Sequence, residues 1–180
     1  MADGYWFHLL EDKAAAYLLN VEQGHNPPVV HCCVIDPTLL SDCGQVGTAD
    51  PIVIKAVDGH SNAGVFVFPS GVSSGSTTTE LLTGTSMSLE DVIAKLNEGD
   101  YSKILVEEFV SNGGALPTEY KVHVFNGVVG AIDIVYNRGS GCDCYASIDA
   151  DCARLDKYGY VYMVLQCILA AVSFPRSFLI

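Results

Sequence analysis

Pro51–Phe68 reads PIVIKAVDGHSNAGVFVF, and its order of residue types decides the fold. An apolar run ends in a lysine, a glycine-bounded polar loop follows, and a second apolar run closes the unit. Lys55 falls within the Ile52–Val57 run, so its ammonium projects from a strand rather than from a mobile tip. Asp58–Gly64 offers backbone N–H groups with little side-chain bulk, suited to an anion. Strand, lysine, small-residue lid and strand together can grip the phosphates of a nucleotide. ATP is the first ligand to consider.

Outward from this hairpin, Trp6–Asn20 carries Leu9, Leu10, Ala14, Tyr17 and Leu18 at helical spacing, with Asp12 and Lys13 in its middle. Val29–Ile35 is a β-branched run and reads as a strand; Pro37 breaks it, and a short helix is expected to follow. Pro69–Thr79, PSGVSSGSTTT, has the composition of a flexible surface loop. Ser88–Asn97 reads as a helix capped by Ser88 with Asp91 three residues on. Lys103–Val110 reads as a buried strand ending in Glu107-Glu108. Glu119–Phe125 and Val128–Tyr136 are expected to pair through the turn Asn126-Gly127. The pattern is α+β with mostly antiparallel sheets, not a doubly wound parallel fold.

Composition bounds what such a chain can do. It has 180 residues, 49% apolar and 17% charged, and a formal charge of −12. This is a globular domain with one sizeable core or two small lobes. Nine Lys and Arg in all argue against nucleic acid, which is held by neutralising many phosphates. A nucleotide site must then use a few placed cations. MADGYWFHLLEDK lacks the basic and apolar regions of a secretory signal, so reduced thiols and a cytoplasmic setting are expected for the seven cysteines. Tyr160–Phe174 is uncharged and apolar but short of the roughly 20 residues of a membrane span. A buried helix or strand is the plain reading, with a tail anchor or a segment foreign to the fold as alternatives.

Four segments in order carry a family resemblance: LEDKAAAY at 10–17, PIVIKAVDGHSNAGVFVF at 51–68, ILVEEFV at 104–110 and PTEYKVHVFNGVVGAIDIVYNR at 117–138, continued by YASIDADCARLDKYG at 145–159. Together they resemble the ATP-grasp superfamily, and within it the branch of teichuronopeptide (TupA-like) glycopolymer biosynthesis. The resemblance implies two α+β lobes closing on ATP: an N-terminal lobe over residues 1–100, a partial C-terminal lobe over 101–159, and an apolar tail of uncertain origin over 160–180. It implies that Lys13 reaches phosphate or adenine and that Lys55 takes the α- and β-phosphates. Gly59, His60, Ser61 and Gly64 would belong to the lid. Glu107, Glu108, Phe109 and Val110 would read adenine and ribose, with Glu108 preferred as the ligand-facing carboxylate. Glu119 and Lys121 would face ribose and phosphates, and Arg138 would approach the γ-phosphate or an acyl-phosphate.

The activity implied is ATP-dependent activation of a carboxylate for attack by an amine or another nucleophile, on a small-molecule or glycopolymer substrate. Mg²⁺ is expected for the family, yet its acidic ligands would lie beyond Gly159, where YVYMVLQCILAAVSFPRSFLI has no Asp, Glu or Asn. The chain is therefore expected to be truncated at both ends relative to the family, or to bind nucleotide without turning it over. The other reading is a degenerate nucleotide-binding or interaction module.

Plainer readings accompany each residue. A strand-end lysine commonly snorkels to water, Lys13 on an amphipathic helix is commonly a solvated charge, and Glu119 with Lys121 fits a surface ion pair. Gly71–Gly75 matches G-x-S-x-G, but within a Ser/Gly/Thr loop rather than on a strand-to-helix elbow. Asp58, His60 and Ser61 are triad residue types too close in sequence for triad geometry. The cysteine spacings fit no usual zinc pattern.

Overall fold

The computed structural model describes residues 12–60, 62–113, 115–136, 138 and 144–155. The chain forms two compact units, residues 1–114 and 115–180. Both are built on antiparallel sheet, so the α+β expectation holds.

In the first unit, strands β1 (Val30–Val34), β2 (Ile52–Ala56), β3 (Val65–Phe68) and β6 (Ile104–Glu108) form one sheet in the order β1-β6-β2-β3. Every pairing in it is antiparallel. Ile104–Glu108, assigned from sequence to the second lobe, thus belongs with the first unit's sheet. Alternation along β2 shows why the strand forms: Ile52, Ile54 and Ala56 are buried while Val53 and Lys55 are half-buried. Ile52, Ile54 and Ala56 join Phe66, Phe68, Ile104 and Val106 in the core. Helix α2 (Leu89–Glu98) closes that core with Leu89, Val92 and Leu96. Its Ser88–Asp91 capping box is formed in both directions, as the sequence predicts.

Helix α1 (Lys13–Glu22) begins later than the periodicity indicates. Asp12 is extended (φ −76°, ψ 109°), and its carboxylate accepts from the amides of Ala14 and Ala15. Asp12 and Lys13 are therefore at a helix start, not mid-helix, because a short carboxylate competes for the free amides of the first turn. Trp6–Glu11 lies outside the described residues.

The Pro69–Thr79 segment is not the flexible loop its composition indicates. Val72 is buried in the core, its carbonyl accepts from the Gly47 amide at 2.9 Å, and β4 (Thr78–Thr79) pairs with β5 (Ser86–Met87). One buried valine and a backbone bridge pin a stretch that composition alone reads as loose.

The thiol expectation is also corrected. Cys32 on β1 is bonded to Cys43 at the end of the 3-10 helix Pro37–Asp42, while Cys33 and Cys152 are exposed and free. The bond closes a short loop, with a sequence separation of 11, a size for which chain entropy gives about 2–3 kcal/mol. Urea unfolding with and without dithiothreitol should show a loss of that order. An unchanged midpoint would mean that the link contributes nothing to the fold.

The second unit carries β7 (Glu119–Phe125), β8 (Val128–Tyr136) and β9 (Cys144–Ile148) in that order, again antiparallel. The Asn126-Gly127 turn is formed with φ of +49° and +77°, as a tight hairpin of this type requires.

Candidate functional site

The first unit brings Lys13, Lys55 and the glycine-bounded loop together. The Lys13 amide donates to the Val57 carbonyl at 3.2 Å, so α1 starts against the end of β2. Its ammonium donates to the carbonyls of Val57, at 3.2 Å, and Gly59. Burial, and then the positive charge of Lys55, hold the Lys13 ammonium below its ordinary value of 10.5, against the opposing pull of Asp58 and Asp12. A lysine whose charge is disfavoured by a second cation, beside a small-residue loop, is an arrangement that an anion would relieve.

Lys55 donates to a Glu107 carboxylate oxygen at 2.6 Å, with side chains 21% and 10% exposed. The register explains the pair. Val53 lies opposite Glu107 and Lys55 opposite Leu105, so these four residues share the sheet face away from the core. Glu108 lies opposite Ile52, on the core side at the strand's end. Glu107, not the preferred Glu108, is the carboxylate beside Lys55. The amides of Glu108 and Phe109 donate to Val29 and Pro51 at 2.9 and 3.4 Å, and Val110 is exposed.

The loop is shaped by its own turns. Ala63 donates to His60 at 2.9 Å, Val65 to Asn62 at 3.2 Å and Ala56 to Gly64 at 2.8 Å. Gly64 must be glycine: its φ is +69°, and a Cβ there would stand 2.8 Å from the Ala56 Cβ and 2.9 Å from the Tyr101 ring. A Cβ at Gly59 would run into the Ala63 carbonyl. Both glycines thus have packing reasons independent of any ligand. His60 is exposed, and Ser61 lies outside the described residues.

In the second unit, Arg138 and Glu119 pair with each other. One guanidinium nitrogen donates at 3.0 Å, and Nε lies against the other carboxylate oxygen. Lys121 is exposed and directly opposite Asp133. Asp133, which the sequence reading passed over, accepts from Ser147 at 2.5 Å and sits 2.9 Å from His123 Nε2. The Ser147 hydroxyl, then His123, hold the Asp133 carboxyl below its ordinary 3.8. A depressed carboxylate stabilises the fold above its unfolded value, and that contribution is lost as pH falls through the lower folded one. Asp133→Asn should therefore flatten part of the stability loss below about pH 4. Urea midpoints from pH 6 to pH 2 measure it, and parallel curves for parent and variant would refute the assignment.

Among the described residues no group of three His, Cys, Asp or Glu is placed to hold a metal ion. No helix among them is long and apolar enough to cross a membrane. The Tyr160–Phe174 run lies outside the described residues.

No protein-family model matches the chain, and no curated protein matches it. Among solved structures it is similar to D-alanyl-alanine synthetase A from Vibrio cholerae O1 biovar eltor, with 15% identity and a TM-score of 0.40. The match covers 69% of this chain and 33% of that one, so the chain spans about a third of that structure's length. Likeness at this level assigns neither a family nor a role to any residue.

Proposed function

We propose that the chain binds ATP through its first unit, and that it is an ATP-grasp domain related to ligases of the TupA-like, glycopolymer-building branch. The Lys13 ammonium on the Gly59 carbonyl of the loop after β2, close enough to Lys55 for that charge to lower its pKa, is the observation that supports this most. In this reading Lys55 and Lys13 neutralise the phosphates, and the Asp58–Gly64 loop lies over them. Glu107 and its neighbours Glu108, Phe109 and Val110 take the adenine and ribose end.

A carboxylate oxygen of the substrate would attack the γ-phosphorus as the bond to the β-phosphate oxygen breaks and ADP leaves. An amine would then attack the carbonyl and expel phosphate. Placed cations contribute by cancelling charge on the transferred group. Mg²⁺ would ordinarily share that task, but the described residues supply no oxygen-ligand set for it. The cytoplasmic setting is the part of this reading that the Cys32–Cys43 bond opposes, since such bonds persist mainly in oxidising compartments.

A second reading is nucleotide binding without turnover, since the Tyr160–Ile180 stretch holds no Asp, Glu or Asn. Calorimetric titration of ATP with and without Mg²⁺, followed by assay for ADP and phosphate, separates the two. Binding with product release supports a ligase-type domain, and binding alone supports the second reading. No heat of binding under either condition would end both.

A further inference from the structure

Lys55 already has an anionic partner in its own sheet. Its ammonium donates to Oε1 of Glu107 at 2.6 Å, with the carboxylate side chain only 10% exposed. The two are diagonal neighbours, since Lys55 lies opposite Leu105 and Val53 opposite Glu107, a separation that two long side chains span. On its other side Glu107 lies opposite Val30 of β1. Val30 and Val53 are both half-buried, and neither side chain offers the carboxylate a donor. Lys13 is no substitute, because its ammonium is turned to the carbonyls of Val57 and Gly59. Among the described residues, Lys55 alone hydrogen-bonds the Glu107 carboxylate.

We propose that Glu107 is a specificity-determining residue of the nucleotide site, an internal competitor that yields Lys55 only to a ligand able to donate hydrogen bonds to the carboxylate in return. This rests on the reading of Lys55 as a phosphate ligand. An ammonium has three N–H donors, but an anion on a second of them would stand within the ~4–6 Å over which like charges disfavour each other. Phosphate must therefore displace the carboxylate. A displaced carboxylate set between two valines needs a new donor, or it is left with its charge unpaired and poorly solvated. The ligand class that fits carries polyphosphate at one end and hydroxyl or amine donors at the other, as a nucleoside triphosphate does. Inorganic tripolyphosphate brings the charge without those donors and bears the whole cost of displacing Glu107.

Calorimetric titration of the full chain with ATP and with tripolyphosphate, both without Mg²⁺, tests this. The parent should bind ATP at least tenfold more tightly than tripolyphosphate. Equal or tighter binding of tripolyphosphate would overturn the proposal, and that readout needs no variant. Glu107→Gln keeps the size of the side chain and should retain the parent's circular dichroism. It should bind tripolyphosphate at least tenfold more tightly than the parent does, with a smaller gain for ATP. A tripolyphosphate affinity within twofold of the parent's would overturn the proposal while leaving ATP binding in place. Glu98→Gln removes an exposed carboxylate from the end of α2, and with it the same unit of charge. An equal gain there would assign the effect to net charge and overturn the proposal too. If parent and Glu107→Gln bound neither ligand, this proposal and the nucleotide reading would fall together.

Discussion

Lys55→Ala is expected to lower ATP affinity by ten- to a hundredfold in a calorimetric titration, while the protein remains folded. A hydrogen bond to a charged group contributes about 1.5–3 kcal/mol, and each 1.4 kcal/mol is about tenfold in affinity. The variant also leaves Glu107, 10% exposed, without its cation, so a carboxylate once neutralised by Lys55 would confront the phosphates. Both effects act in the same direction. Stability should fall as well, by about 1–3 kcal/mol for the unpaired carboxylate, which is why unfolding is measured on the same preparation. Lys95→Ala removes an exposed charge on α2 and should leave affinity unchanged. If a folded Lys55→Ala protein bound ATP within twofold of the parent, Lys55 would not be a phosphate ligand.

The parts of this fold that were legible in sequence are those where one period dominates. Ile52-Val-Ile-Lys-Ala alternates, and the structure buries alternate residues along it. Ser88 and Asp91 carry a cap that needs only four residues to recognise. The β7–β8 turn is equally local. What the sequence left open depended on partners distant in the chain. Glu107 and Glu108 are indistinguishable as a pair, and only the register of β6 against β2 sets Glu107 beside Lys55. Cys32 and Cys43 meet because β1 and the 3-10 helix pack together, which no spacing rule announces.

Asp133 shows the same limit from another side. A strict two-residue turn at Asn126-Gly127 continues the pairing of Phe125 with Val128 and Val124 with Val129, and extrapolates to Ile132 opposite Lys121. The register instead shifts between His123 and Val124, so that His123 meets Ala131 and Lys121 meets Asp133. Gly130 is the extra residue, and a Cβ there would come within 3.2 Å of the Phe125 ring. One bulge therefore places the charged residues of β7 and β8 on one face. A glycine inside an otherwise β-branched strand was the available signal.

Glu80→Ala is the substitution expected to cost the most stability. This side chain, 1% exposed, lies between threonine and leucine, just after the Pro69–Thr79 stretch whose composition reads as a surface loop. One carboxylate oxygen accepts from the amides of Val67, at 3.0 Å, and Leu82, at 2.9 Å. The other accepts from the Thr83 amide and hydroxyl at 2.8 and 2.7 Å. Val67 belongs to β3, the edge of the sheet, whose carbonyl is taken by the Leu81 amide at 2.9 Å. Glu80 and Leu81 together therefore close an edge that would otherwise stand open beside the Lys55 hairpin. Alanine would take the acceptor from three amides, the Val67 amide among them buried, at about 3–5 kcal/mol in total. For a chain of this length that lowers Tm by about 10 °C. Glutamine keeps one oxygen for Val67 and Leu82 but turns an NH₂ toward the Thr83 amide, so its cost should fall between parent and alanine, at about 1–2 kcal/mol. Urea unfolding of the three proteins should rank them Glu, Gln, Ala. An alanine variant within about 0.5 kcal/mol of the parent, the range of ordinary surface changes, would show that the carboxylate does not hold β3 in place.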